Sequence, residues 1–200
     1  MIQEVIVWGP LILLLAAIGV SFGRSLLVRR AVGFSPYAFG SRDTAHDFLG
    51  AIFRRAIGVF VAFFLCRAVF PEWEHDLGRL DWLANETARL VGLGLVLTSV
   101  IWIGAAQSEM GRSWRIGIRE GERPKLVTSG LFSISRNPVF LGMIAAAIGL
   151  FLSSPTVVTM MALTATWLGV QVQVRLEEQH LSAVLGAEYA AYRQRVRRWL

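Results

Sequence analysis

The chain has 200 residues, 54% of them hydrophobic and 17% charged, where a soluble domain carries roughly 25% charged residues; its mean hydropathy is +0.54. The apolar residues come in long blocks, which excludes a disordered chain and a disulfide scaffold and points to an all-α, polytopic integral membrane protein. The formal net charge of +6 is almost all arginine, with Lys125 the one lysine, so the placement of the arginines decides what the charge means.

A helix needs about 20 apolar residues to cross the hydrocarbon core. The first segment that qualifies is Val5–Gly23, with Glu4 before it and Arg24, Arg29 and Arg30 after it. A cleavable signal peptide has its positive charge ahead of the apolar run; the opposite polarity reads as a retained span with its N-terminus outside. The second span covers about Ala51–Phe70, with Arg54 and Arg55 at its start and Arg67 near its end, where a long side chain can snorkel to the interface. The one cysteine, Cys66, lies among apolar residues there. It allows no intramolecular disulfide and no cysteine-rich metal site.

The third span, Leu90–Ala106, carries Gly92 and Gly94, small residues that let helices approach closely. Segments four and five, about Pro138–Leu152 and Thr156–Val174, are separated only by Ser153-Ser154-Pro155. So short a polar break predicts a helical hairpin.

Five spans leave the two termini on opposite sides. The first loop holds Arg24, Arg29, Arg30, Arg42, Arg54 and Arg55; the third holds Arg112, Arg115, Arg119, Arg123, Lys125 and Arg136. The tail adds Arg175, Arg193, Arg195, Arg197 and Arg198, whereas the second loop, Pro71–Arg89, is mainly acidic. The positive-inside rule then puts loops one and three and the C-terminus in the cytoplasm, in an inner or plasma membrane. Topology and anionic lipid head groups account for the basic excess, and no nucleic-acid partner is expected. From Arg175 to Val196, Leu181, Val184, Leu185, Tyr189, Tyr192 and Val196 recur at helical spacing, which predicts an amphipathic tail helix on the inner membrane face.

Two stretches are too particular to be connectors. Met110–Gly142 is long for a loop in a compact domain, yet Trp114, Leu126, Val127, Leu131, Phe132 and Ile134 make it too apolar for disorder. It runs into Arg136-Asn137-Pro138, where proline at the first helical turn sacrifices no hydrogen bond. The second stretch is Arg175-Leu176-Glu177-Glu178, whose paired carboxylates at a membrane boundary are costly unless solvated, paired or holding a ligand. The hairpin brings its own two ends together, so Asn137, Phe140, Arg175 and Glu178 are expected to converge as a small-molecule site. No metal site is expected: Asp43, His46 and Asp47 match no ligand spacing.

These residues resemble the isoprenylcysteine carboxyl methyltransferase family, whose C-terminal pattern is shared with phospholipid methyltransferases. The resemblance rests on Gly111–Trp114, on Leu126-Val127-Thr128-Ser129-Gly130-Leu131-Phe132, and on Arg136-Asn137-Pro138-Val139-Phe140-Leu141-Gly142. Glu177-Glu178 and Gly186-Ala187-Glu188-Tyr189-Ala190-Ala191-Tyr192 complete it. It covers about residues 90–198, and the five-span topology resembles that of the smaller prokaryotic members. Residues 1–89 would then carry the first two spans, and residues 90–200 the methyltransferase-like region: span three, connector 107–137, hairpin 138–174 and tail 175–200.

The resemblance implies S-adenosylmethionine at the cytoplasmic mouth of the hairpin and a lipophilic small-molecule or lipid substrate arriving from the bilayer. Carried over by position, Lys125, Leu126 and Val127 line the cofactor and Phe132 packs on it. Asn137, Pro138, Val139 and Phe140 contact its amino-acid or nucleoside part, and Glu178 accepts its hydrogen bonds. Arg175 lies near the place of an arginine that in the family faces the substrate; with Glu178 and Asn137 it makes up the expected catalytic set. Asn137 stands where the eukaryotic enzymes have histidine, so no imidazole serves as base there, and Phe140 stands for a common tyrosine.

A sulfonium methyl donor is already activated, so the protein needs mainly to align the reactants and exclude water. A carboxylate acceptor, ionised above a pKa of about 4, requires no base. A thiol or amine would require one, for which His46 and His180 qualify only by location. This favours a carboxylate. Two other readings stay open: an NADPH-dependent reductase of the sterol-reductase type, and a non-catalytic membrane subunit with a degenerate site.

Overall fold

Long apolar runs form continuous helices, the first of them straight through Gly9-Pro10, and the computed structural model, which describes residues 2–32, 44–111 and 125–200, carries them further than the apolar cores alone. In chain order come α1 (Ile2–Val32), α2 (Ala45–Val69), the single turn α3 (Trp73–Asp76) and α4 (Glu86–Glu109). A 3-10 turn (Gly130–Ser133), α5 (Pro138–Ser153), α6 (Val157–Leu185) and α7 (Ala187–Arg195) complete the chain. Helices α1, α2, α4 and α6 are each long and apolar enough to cross a membrane. The fifth apolar helix, α5, has 16 residues, about 24 Å at 1.5 Å per residue, somewhat short of a hydrocarbon core of about 30 Å.

Capping residues set the starts. Thr44 precedes α2 and its hydroxyl accepts from the Asp47 amide at 3.1 Å, satisfying one of the helix's orphan donors. The helix therefore begins six residues before the apolar run, and Arg54 and Arg55 sit in its third turn, exposed. Asn85 caps α4 through the Ala88 amide at 2.9 Å. Thr156 opens α6 with a reciprocal capping box to Thr159. The tail differs from the expected separate helix. Arg175-Leu176-Glu177-Glu178 offers no breaker, so α6 runs on without interruption to Leu185, and the chain turns at Gly186, whose φ of 54° lies in the left-handed region that glycine adopts at little cost.

The five long helices close a ring: α1 packs on α4 and α2, α2 on α6, α6 on α5, and α5 on α4. Each contributes to one apolar core, through Leu11 and Leu14, Phe60 and Phe64, Val96, Leu150 and Ala162. Outside the ring, Ile12, Ile101, Met161 and Leu168 are exposed, as a bilayer-facing surface requires. The tightest seam is α4 against α5. A Cβ on Gly92 would lie 2.6 Å from the Gly149 carbonyl oxygen, and one on Gly149 2.7 Å from that of Gly92. The two backbones touch, so any side chain at either position drives the helices apart. Gly94, two residues on, meets nothing; of the glycine pair in this span only one pairs helices, and it does so within the chain.

The ends of the bundle differ in chemistry. At the acidic end, the turn between α5 and α6 is covered by the α3–α4 loop. The Leu80 amide donates to Pro155 O at 2.8 Å and the Val157 amide to Gly78 O at 3.1 Å, leaving Ser153, Ser154 and Thr156 buried. Arg67 does not snorkel as the sequence suggested. It is 4% exposed, with Nε on Glu74 at 2.9 Å and Nη1 on the carbonyls of Ile6 and Val7 at 3.0 and 3.2 Å. Pro10 in α1 has no N–H to offer the carbonyl four residues back, which is that of Ile6. The arginine supplies the missing donor, and Arg89 joins Glu74 at 2.7 Å.

Candidate functional site

At the opposite, basic end, Pro138 starts α5 and places Asn137 at its N-cap, a position whose side chain ordinarily caps the helix. Asn137 makes no such bond. Its Nδ2 instead donates to Glu178 Oε1 and to the Arg198 carbonyl, each at 3.3 Å. Glu178, on the buried face of α6 and 4% exposed, is the hub. Arg136 reaches its Oε1 through Nη2 at 3.1 Å, and Arg198 its Oε2 through Nη2 at 2.8 Å. A buried carboxylate survives when charge-assisted hydrogen bonds fill its lone pairs, and these three donors do so.

The last residues form a strap over this cluster. The Arg136 amide donates to Arg197 O at 3.0 Å, its Nη1 to Arg193 O and Val196 O, both at 3.1 Å, and Ser135 Oγ to Arg198 O at 3.3 Å. Arg136 is thus far more than a basic anchor at the membrane surface. Trp199 packs beside Leu49, Phe53, Val170 and Val174, a second apolar cluster between α2 and α6 that also takes Phe140.

α7 folds back on the connector. Leu185, Tyr189, Tyr192 and Val196 bury together with Leu126 and Leu181, so the apolar face expected to lie on the membrane is spent inside the protein. The Tyr192 hydroxyl donates to Phe132 O at 2.6 Å; burial pushes its pKa up to about 12, so it remains a donor across the physiological range. At the other edge Glu109 accepts from the Leu131 amide at 2.8 Å, and Gly130, with φ of 59°, leaves the space that its carboxylate fills.

Between these walls lies a cavity of about 70 Å³ lined by Lys125, Leu126, Val127, Phe132, Asn137 and Tyr189, among others. Five of the residues expected at a cofactor site meet here. Arg136, Glu177, Leu181 and Tyr192 also line it and were not foreseen in that role. Pro138 is buried and its carbonyl accepts from Trp102 Nε1 at 2.9 Å. Val139 is half-buried, and Phe140 belongs to the α2–α6 cluster. Arg175 stands apart from Asn137: it is exposed, bonds Gln171 one turn back, and lines a second cavity with Glu178. His180 is half-buried on α6, and His46 on α2. Asp43, and the motif Gly111–Trp114 beyond Gly111, lie outside the described residues.

The lining has donors and surfaces suited to a nucleoside-bearing sulfonium: aromatic faces, an amide, a lysine and one carboxylate, Glu177; Glu178 does not line it and lines the second cavity instead. Its volume is below the roughly 300–1,000 Å³ of small-molecule sites.

Comparison with known proteins bears on the same region. The family model for phospholipid methyltransferases matches residues 87–188, from the first turn of α4 into α7. Protein-S-isoprenylcysteine O-methyltransferase B of Arabidopsis thaliana is 29% identical over 119 residues, 58% of this chain. The match spans 57% of the plant protein's length. With the matched segment carrying both the α4–α5 seam and the Asn137–Glu178 cluster, the chain belongs to the phospholipid methyltransferase family.

Proposed function

We propose that this protein transfers the methyl group of S-adenosylmethionine to a lipophilic acceptor at the basic end of the bundle, and that this end faces the cytoplasm. The observation that carries the reading is the buried Glu178 hub, joined to Arg136, Asn137 and Arg198 and set beside an aromatic-lined cavity inside the family-matched segment. The orientation follows from the positive-inside rule.

When bound, the donor supplies an activated methyl group on a sulfonium. Lys125, Leu126, Val127, Phe132 and Tyr189, which line the cavity, would hold it. Asn137, with Pro138, Val139 and Phe140 behind it, fixes the first turn of α5, and Glu178 orients Asn137 and Arg136 toward the cavity. Alignment of nucleophile, methyl and leaving sulfur is worth several kcal/mol by itself. The strap and α7 keep bulk water out.

Asn137 donates and accepts hydrogen bonds but takes up no proton at neutral pH. Tyr192, held protonated, is no base either. A carboxylate acceptor needs none, and we assign that class. The test is incubation of membranes containing the protein with methyl-labelled S-adenosylmethionine and a lipid extract. Base-labile label in the lipid fraction is the expected result, as an ester gives; base-stable label would reassign the acceptor to nitrogen or sulfur. Absence of label from folded protein would overturn the activity.

A further inference from the structure

A second, open cavity of about 500 Å³ is lined by Arg175, Glu178, Gln179, Ser182, Arg193 and Arg198, residues that the aromatic-lined cavity does not share. The three guanidinium groups come from three places in the chain: mid-α6, the last turn of α7 and the strap. The one carboxylate of the lining is already engaged, with Arg136, Arg198 and Asn137 filling its lone pairs. Three guanidinium groups therefore line the cavity with one carboxylate, and that carboxylate is already paired with Arg198 and with Arg136 from outside it. Among the described residues Arg175 bonds Gln171 on its own helix, and such an exposed contact is given up at little cost.

We propose that this cavity binds the phosphate head group of an anionic bilayer lipid. Guanidinium forks match the oxygens of a phosphate in a bidentate manner, and a cavity of this volume accommodates a glycerophosphate head. The depth favours a lipid over a free ion. Arg175 directly follows the apolar run that ends at Val174, which sets its guanidinium at the level where lipid phosphates lie. Arg198 faces the cavity while gripping Glu178, so an occupant here touches the hub of the first site without entering it. The proposal does not depend on methyl transfer, and its readout is lipid binding alone.

The experiment is displacement of fluorescent phosphatidylglycerol from protein purified in a neutral detergent. Competitors are unlabelled phosphatidylglycerol, phosphatidylcholine and inorganic phosphate. Phosphatidylglycerol is expected to displace the probe at concentrations at least tenfold below those of phosphatidylcholine. Arg175→Gln with Arg193→Gln is expected to weaken probe binding at least tenfold, and Arg193→Gln alone to weaken it measurably. Arg29→Gln with Arg30→Gln removes the same charge from the exposed end of α1 and is expected to leave binding unchanged. Equal competition by the two lipids would overturn the site, as would equal loss in the α1 variant, which signals diffuse attraction. Displacement by inorganic phosphate as effective as by phosphatidylglycerol would overturn the lipid as its source.

Discussion

Glu178→Gln is expected to weaken binding of S-adenosylmethionine at least tenfold, about 1.4 kcal/mol, and to lower methyl transfer further, with the bundle still folded. The substitution keeps the shape of the side chain but removes the charge that two arginines and an amide converge on. Its oxygen still accepts, but its new NH2 group faces donors, so Arg136 and Arg198 lose the shared negative charge and the strap loses its ion pair to α6. The backbone bonds from Arg136 to Arg197, and the burial of Tyr189 and Tyr192, are untouched, which is why folding survives. Calorimetric titration of the donor beside thermal unfolding checks both halves. Donor binding unchanged from wild type would remove Glu178 from the site.

The largest effect on stability is expected at the other end of the molecule. Glu74→Ala leaves Arg67 and Arg89 without their shared carboxylate. Arg67 and Glu74 are each 4% exposed, and breaking one partner of a buried pair costs about 3–5 kcal/mol because the remaining charge stays uncompensated. The damage spreads, since the same Arg67 holds the α1 carbonyls at Ile6 and Val7, and a displaced guanidinium re-exposes the gap that Pro10 creates. Arg79→Ala is the contrast: its pair with Asp81 is exposed, at 36% and 63% of the two side chains, and such pairs contribute about 0–1 kcal/mol. Denaturant unfolding in detergent compares them. A Glu74 loss no larger than the Arg79 loss would contradict the structural role assigned to the triad.

The helices were legible because apolar runs and their breakers are local properties. All five apolar segments became helices, and Ser153-Ser154-Pro155 marked the hairpin turn. Helix ends were less legible. Hydropathy does not see that Thr44 caps α2 six residues early, or that Arg175 through Glu178 are helix formers and let α6 run on to Gly186. Within the site, Asn137 and Glu178 were readable from the hairpin, which brings its own two ends together. Arg198 was not: it meets Glu178 across 20 residues through a tail whose path depends on Gly186 and on backbone bonds to Arg136. The same limit applies to Arg67: Glu74 meets it across the short α2–α3 turn, but the carbonyl of Ile6, 61 residues away, meets it only once α1 has packed on α2. Arg175 lies one turn before Glu178 on α6 but bonds Gln171 on its own helix rather than Asn137, a choice that helical spacing does not reveal.

The central claim is that the cavity lined by Lys125, Phe132 and Asn137 holds a methyl donor. Binding of S-adenosylmethionine and of its demethylated product to detergent-purified protein, with NADPH as the comparison ligand, tests it most directly. Saturable micromolar binding of both sulfur compounds, with none of NADPH, is the predicted result. No binding of either to folded protein, or binding of NADPH in their place, would contradict it.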